Sequence, residues 1–176
     1  KDTYENIDGK ILGKDNISVA KESQVLILAI PYPNIDSICS QLLPEISNEC
    51  VVISPIVPMT KTDVGFECIS IKENKPFSHQ AVEKYMSDKT KLVSAFHVIS
   101  EKKLVNPTLS LDYDIFVVGD DMNSVKVVND LINEIEGLRP IYLGGGKLSY
   151  LVEMSTPLLL NAMIKNKMKN PGIKII

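Results

Sequence analysis

Few residues in this sequence could do chemistry, and most of them follow short apolar runs. His97 comes directly after such a run and is one of only two histidines. Asp120 and Asp121 form a carboxylate pair suited to a metal ion or to acid–base work, and the glycines at 144–146 could hold a phosphate on backbone amides. Each feature also has a plainer interpretation: a hydrogen-bonded structural histidine, a helix cap and a strand-to-helix turn.

A second kind of feature is the loop after the run that ends at Ile53. Pro55 and Pro58 flank two apolar residues there and stiffen the loop into an extended shelf. Such a shelf suits a flat ring ligand, although loop rigidity explains it nearly as well. A site with apolar walls, few polar groups and no evident nucleophile or base favours hydride transfer between two ring cofactors over hydrolysis, because the cofactors carry the redox chemistry.

The elements that must position these residues are five runs of β-branched and aliphatic residues, too continuous for half-exposed strands. The runs lie at 24–30, 50–53, 92–96, 114–118 and 140–143. Helical patterns fill residues 35–47, 78–88, 122–136 and 148–167, and one extra edge strand is expected at 66–71. The alternation predicts an α/β fold with a largely parallel sheet, whose ligands bind beyond the carboxyl ends of the strands.

Composition limits the class of protein. The chain has 176 residues and a formal net charge of −3, which fits one domain or one and a half and excludes a general nucleic-acid binder. Three widely spaced cysteines predict reduced thiols rather than a disulfide framework or a zinc site, and we expect no bound metal. No apolar run is long enough to span a membrane, so we predict a soluble, cytoplasmic protein without a membrane partner.

Six segments follow one another in a fixed order along most of the chain. They are VVISPIVP at 51–58, VSAFH at 93–97, VGDD at 118–121, EGLRP at 136–140, STPLLLN at 155–161 and GIK at 172–174. Together they resemble the archaeal NADPH-dependent reductases of the 5-deazaflavin coenzyme F-420. One such segment would be weak evidence, but six in order are specific.

The resemblance implies a Rossmann-like parallel sheet and a smaller C-terminal α+β domain. Residues 1–105 would be a partial NADP-binding domain, and residues 106–176 would serve oligomerisation and the deazaflavin pocket. It implies a homo-oligomeric enzyme, a homodimer, that transfers a hydride reversibly between NADP(H) and coenzyme F-420. It also implies that the first βαβ unit, which carries the glycine-rich phosphate loop, is absent from the chain as given.

The resemblance also assigns residues to the two cofactors. The nicotinamide side would fall on Ile30, Pro31, Tyr32, Asp36, Val57, Pro58 and Met59. The deazaflavin side would fall on Ser54, Pro55, His97, Ile99, Glu101 and Pro171. His97 would hydrogen-bond the edge of the deazaflavin ring, where charge changes on reduction, in an orienting and electrostatic role.

Two departures from the family pattern leave alternatives open. Residues 142–146 replace a different loop sequence, and Tyr150 stands where an arginine is common. One alternative is a non-catalytic module of the same fold that dimerises or binds deazaflavin alone. Another is a related reductase with a flavin or a metal chelate as electron acceptor, because one scaffold can present different rings at one shelf.

Overall fold

The computed structural model describes residues 11–99, 101–106 and 110–176, with only the backbone of residues 101 and 102. The strands are β1 (Val25–Ile27), β2 (Val51–Ser54), β3 (Met59–Lys61), β4 (Phe66–Cys68), β5 (Leu92–Ser94), β6 (Tyr113–Gly119) and β7 (Leu138–Gly144). The helices are α1 (Asn16–Glu22), α2 (Ile35–Leu42), α3 (Ile69–Lys72), α4 (Ser78–Glu83), α5 (Glu101–Leu104), α6 (Met122–Asn133) and α7 (Ser149–Lys165). All five predicted strands are therefore present.

Five strands form one sheet in the order β1-β2-β5-β6-β7. The pairs β1/β2, β2/β5 and β6/β7 are parallel, whereas β5 and β6 are antiparallel, with Val93 opposite Gly119. The predicted α/β, Rossmann-like class is confirmed, but the sheet is mixed. Because β6 and β7 run against the first three strands, their carboxyl ends lie at the opposite edge of the sheet. The carboxyl-end rule therefore does not by itself group residues 119–121 and 144–146 with His97, although a Cβ on Gly146 would lie 2.3 Å from Nε2 of His79.

The predicted edge strand at 66–71 is shorter than expected and lies outside the main sheet. Residues 66–68 form β4, which pairs antiparallel with β3 in a separate hairpin, and Ile69 begins α3. Residues beyond 106 contribute β6 and β7 to the five-stranded sheet. A domain boundary at residue 105 stays a prediction.

The core has two halves, one on each face of the sheet. On one face Leu26, Val52 and Leu92 pack with residues of α2 and α4. On the other face Val93 and Ile115 pack with the buried stripe of α6. Side chains alternate between the two faces along a strand, and both faces are covered. Every residue of β2 and β5 is therefore buried, which explains their continuous apolar sequences.

Local signals define α6. The Asp121 carboxylate accepts hydrogen bonds from the backbone N–H groups of Asn123 and Ser124, so the predicted helix cap is confirmed. Gly137 follows the helix with a φ of +82°, and a Cβ there would lie 1.9 Å from the carbonyl oxygen of Leu111. Glycine is therefore required at the predicted stop.

No helix among the described residues is long and apolar enough to cross a membrane.

Asn161 of α7 holds the hairpin of β3 and β4 in place. Its Oδ1 accepts a hydrogen bond from the Phe66 N–H at 2.8 Å, and its Nδ2 donates to the Phe66 carbonyl at 2.8 Å. We expect Asn161→Ala to lower the free energy of unfolding by about 1–2 kcal/mol, because a half-buried backbone donor and acceptor lose their partners. Urea denaturation measures the change.

The matched control for this prediction is Asn166→Ala. The Asn166 side chain donates only to the Ala162 carbonyl of its own helix and is exposed to solvent. An equal loss of stability in the two variants would contradict the proposed anchoring of the hairpin.

Candidate active site

A cavity of about 460 Å³ lies between the loop after β5, the second half of α7 and the C-terminal segment. Its walls are mostly apolar, and its volume is typical of a small-molecule site. The lining residues are Met59, His97, Val98, Ile99, Thr156, Leu159, Leu160, Met163, Asn170 and Pro171. The geometry suits a flat, largely apolar ligand held by a few polar contacts.

His97 supplies the main polar group of this cavity. The residue is only 8% exposed, and neither ring nitrogen has a hydrogen-bond partner among the described residues. Burial, together with repulsion from His79, lowers the pKa of His97 to about 3; the nearby backbone of Ile56 has a small opposite effect. The imidazole is therefore neutral, with one N–H donor and one acceptor, and both ring nitrogens are buried.

The backbone around His97 is strained and anchored. Phe96, the residue before it, has a φ of +68°, in the left-handed region that non-glycine residues rarely adopt. The Thr156 hydroxyl of α7 donates a hydrogen bond of 2.6 Å to the His97 carbonyl oxygen. The strain is thus maintained by a contact from another element, and His97 is fixed against the cavity wall.

Thr156 is a site residue that the sequence analysis did not assign. It lines the cavity as well as anchoring His97. Its position in the segment 155–161, one of the six that carry the resemblance, was the available signal.

A buried polar cluster lies under the strand ends, on the α4 face of the sheet. The fully buried Glu153 of α7 accepts hydrogen bonds from the backbone N–H groups of Ser78 at 2.7 Å and His79 at 3.0 Å. His79 Nδ1 lies 2.8 Å from the hydroxyl of Ser94, which is opposite Ser54 in the sheet register. This cluster links α7 through α4 to the carboxyl ends of β2 and β5.

Burial dominates the electrostatics of this cluster. It raises the pKa of Glu153 to about 7, despite the two backbone donors, and lowers the pKa of His79. The Ser54 hydroxyl is also buried and has no partner among the described residues. An acidic residue within an otherwise apolar helix was the sequence signal for Glu153, whereas His79 had none.

The structure brings four of the predicted site residues into the His97 cavity: Met59, His97, Ile99 and Pro171. Tyr32 and Asp36 instead line a separate groove of about 340 Å³ beside α4. Ile30, Pro31, Ser54, Pro55, Val57 and Pro58 lie at or after the ends of β1 and β2 and line neither space. The side chain of Glu101 lies outside the described residues.

Asp36 already has partners. Its carboxylate pairs with Lys84 at 2.7 Å and accepts a hydrogen bond from the Tyr85 hydroxyl at 2.8 Å. These contacts lower the pKa of Asp36. Asp36 therefore forms part of the groove wall as a carboxylate that is already paired with Lys84 and Tyr85.

The two alternative sites, at residues 120–121 and 144–146, have plain structural roles. Asp121 caps α6, and the Asp120 carboxylate accepts a hydrogen bond of 3.1 Å from the backbone N–H of Gly146. A carboxylate at this amide disfavours a phosphate there, because the two anions would repel each other. Among the described residues, no group of three or more His, Cys, Asp or Glu side chains is placed to hold a metal ion.

An apolar groove of about 570 Å³ separates the hairpin from the outer face of α7. Its charged groups, Glu67 and Lys72, pair with each other at 2.9 Å. The exposed side chains of Ile71, Leu151 and Leu158 also line this groove. The groove is larger than the His97 cavity but offers no comparable buried polar group.

Comparisons with known proteins identify relatives of this chain. The chain is 35% identical over 169 residues to the F420-dependent NADP reductase of Methanocaldococcus jannaschii, covering 96% of this chain and 75% of that protein. It is 28% identical over 172 residues to the protein of the same name from Methanothermobacter marburgensis, covering 97% and 76%. No family model matches the chain.

A solved structure shares the fold. It is a protein from Arthrobacter sp. FB24 to which the same activity has been attributed; the TM-score is 0.78 at 14% identity, covering 93% of this chain and 74% of that one. The mixed sheet and its helices define a Rossmann-like α/β protein with an apolar cavity after β5. The relative from Methanocaldococcus jannaschii narrows the assignment: this chain belongs to the family of F420-dependent NADP reductases.

Proposed function

We propose that this enzyme transfers a hydride between NADP(H) and the deazaflavin coenzyme F-420, and that the His97 cavity holds the deazaflavin ring. The observation that carries the site assignment is His97 itself, a buried neutral imidazole without a protein partner in an apolar cavity. A buried polar group without a partner is costly, so a ligand that satisfies it gains affinity. The residues present therefore fit a ring with polar edge atoms.

In the reaction, the protein positions the two rings and excludes water from them. When bound, the nicotinamide and deazaflavin rings supply the redox chemistry. His97 offers a donor and an acceptor to the ring edge, and these contacts respond to the charge that develops there on reduction. The walls formed by Leu159, Leu160 and Met163 keep water from the reacting faces.

We propose the division of residues between the two rings that the family resemblance implies. Ser54, Pro55, Ile99, Glu101 and Pro171 are assigned with His97 to the deazaflavin. Residues that follow β1 and β2 in the sequence are assigned to the nicotinamide: Ile30, Pro31, Tyr32, Asp36, Val57, Pro58 and Met59. Met59, the first residue of β3, lines the His97 cavity, which supports two rings that meet at this border.

The test of the reaction uses the purified protein with oxidised coenzyme F-420 and NADPH. We expect the visible absorption of the oxidised coenzyme to disappear with turnover. A free flavin and a ferric chelate, supplied in place of the deazaflavin, test the alternative acceptors. Faster reduction of either one would replace the proposed acceptor, and binding without any turnover would support the non-catalytic module.

Thr156→Val tests the anchor of His97. Valine has nearly the same shape but cannot donate to the His97 carbonyl, so the strained backbone at Phe96 is free to relax. We expect kcat/KM for the deazaflavin to fall roughly 10-fold because a small displacement of a contact group is costly. The Kd of NADPH should stay unchanged.

The matched control is Thr62→Val in the hairpin. The Thr62 hydroxyl donates to the Gly65 carbonyl at 3.1 Å and does not line the cavity. Similar kinetic losses in both variants would contradict a specific role for Thr156.

We also infer a homodimer in the cytoplasm. The exposed Ile71, Leu151 and Leu158 support self-association, because contiguous exposed apolar side chains mark interfaces. The three cysteines, all free and buried, support a reducing compartment. Light scattering should give a dimer mass that Leu158→Asp reduces; a monomeric wild-type protein would contradict the dimer.

A further inference from the structure

The C-terminal strap, residues 170–175, forms one wall of the His97 cavity through Asn170 and Pro171. The strap is bound along the start of β6. The Tyr113 hydroxyl donates to the Asn170 carbonyl at 2.7 Å, and the Asp114 N–H donates to the Ile173 carbonyl at 2.7 Å. The position of this wall is therefore determined by contacts outside the cavity.

Close packing also holds the middle of the strap. A Cβ on Gly172 would lie 1.8 Å from a carbon of the Tyr113 ring. Only glycine allows the strap to lie flat against this ring, because real side chains cannot approach so closely. Any larger residue at this position must lift the strap.

An ion pair fastens the far end of the strap. The fully buried Asp114 carboxylate accepts two hydrogen bonds of 2.8 Å from Arg139, the only arginine of the sequence, on the neighbouring strand β7. Asp114 also accepts the Ile175 N–H at 2.6 Å, and Arg139 donates to the Ile175 carbonyl at 2.8 Å. Both backbone groups of Ile175 are thus bound by one pair of side chains.

Arginine is suited to this place for a physical reason. Its planar guanidinium binds both carboxylate oxygens and still has a donor for the strap, whereas a lysine ammonium cannot match this fork. Among the described contacts, neither Asp114 nor Arg139 touches the cavity itself. Their effect on a ligand must therefore pass through the strap.

We propose that Asp114 and Arg139 are positioning residues, which hold the strap so that Asn170 and Pro171 complete the wall of the deazaflavin site. The inference rests on the proposed function. Loosening the strap opens this wall, so the affinity for the deazaflavin falls. The nicotinamide groove beside α4 has no contact with the strap among its lining residues and is unaffected.

The experiment compares Arg139→Met, Arg139→Lys and Gly172→Ala with the wild-type protein. The Kd of oxidised coenzyme F-420 is measured by ultrafiltration, the Kd of NADPH by titration, and KM and kcat by turnover. We expect Arg139→Met and Gly172→Ala to raise the deazaflavin Kd and KM roughly 10-fold, with a much smaller change in kcat. Arg139→Lys should recover part of the loss, because it keeps the charge but not the fork.

Hydrogen exchange at the Ile175 amide supplies a readout independent of ligand, and it should become faster in Arg139→Met. Lys126→Met is the control, because Lys126 is an exposed cation paired with Asp130 on α6. Gly172→Ala keeps the ion pair, so it provides the test if Arg139→Met does not fold.

The outcomes separate the two proposals. Faster exchange at Ile175 with an unchanged deazaflavin Kd would overturn the positioning role, as would equal losses of deazaflavin and NADPH affinity. A wild-type protein that binds the deazaflavin but does not turn over would contradict the proposed reaction alone.

Discussion

Replacing His97 with alanine is expected to lower kcat/KM for the deazaflavin coenzyme by roughly 100-fold and to leave the Kd of NADPH unchanged. The imidazole is the buried polar side chain without a protein partner in the cavity wall, so its removal takes a donor and an acceptor from the ligand. Stopped-flow reduction by NADPH measures the rate, and NADPH titration measures binding. An unchanged rate would remove His97 from the site.

His97→Gln distinguishes hydrogen bonding from charge. Because burial lowers the pKa of His97 to about 3, the working form is the neutral ring, and a neutral amide should retain part of the activity. For the same reason, no ionisation of His97 should affect kcat/KM from about pH 5 to about pH 9. A break near the ordinary histidine pKa that disappears in His97→Gln would contradict this electrostatic assignment.

Stability measurements on the His97 variants should separate an effect on the ligand from an effect on the fold. His97 makes no side-chain hydrogen bond to the described part of the protein, so its replacement leaves no protein donor or acceptor without a partner. We therefore expect both His97 variants to fold and to bind NADPH normally. Unfolding in the absence of ligand would instead indicate a structural histidine.

Replacing Glu153 with alanine is expected to lower the free energy of unfolding by about 3 kcal/mol, the largest loss of stability that we predict. The carboxylate satisfies two buried N–H groups at the start of α4, and alanine leaves both without an acceptor. Chemical denaturation measures the loss. The exposed Glu134, directly after α6, provides a control, because Glu134→Ala removes a carboxylate without uncovering buried donors.

Glu153→Gln tests the raised pKa of the same group. Between the ordinary pKa of 4.5 and about 7, the native protein keeps a proton that the unfolded chain has lost. The contribution of Glu153 to stability therefore falls as pH rises through this window, and the glutamine variant has no such loss. Relative to wild type, Glu153→Gln should gain roughly 3 kcal/mol from about pH 5 to about pH 8.

The wild-type protein and Glu153→Gln must be compared at each pH, because the two histidines change the free energy of unfolding with pH in the opposite direction. His79 and His97 have lowered pKa values, so the unfolded chain binds more protons than the native state below the ordinary histidine pKa. Their contribution is common to both proteins and cancels in the difference. A difference that does not change with pH would mean that Glu153 is ionised normally in the native protein.

Local patterns in the sequence were sufficient for the five strands of the sheet, for α2, α4, α6 and α7, and for the main candidate residue. Strands β2 and β5 are buried on both faces, so nearly every residue must be apolar and the run is visible without a structure. Helix α6 has its cap at Asp121 and its stop at Gly137, which act within a few residues of the chain. His97 was recognisable because it follows one of these buried runs.

The features that only the tertiary structure determines are the strand direction and the contacts between residues far apart in the chain. The direction of β6 relative to β5 cannot be read from the local sequence, because either direction buries the same apolar residues. It decides which way the carboxyl ends of β6 and β7 point in the sheet. Glu153 meets the backbone of His79 across 74 positions, and Ile175 meets Asp114 across 61. Such contacts, and the absence of a partner for His97, arise only when folded elements bring distant residues together and exclude water.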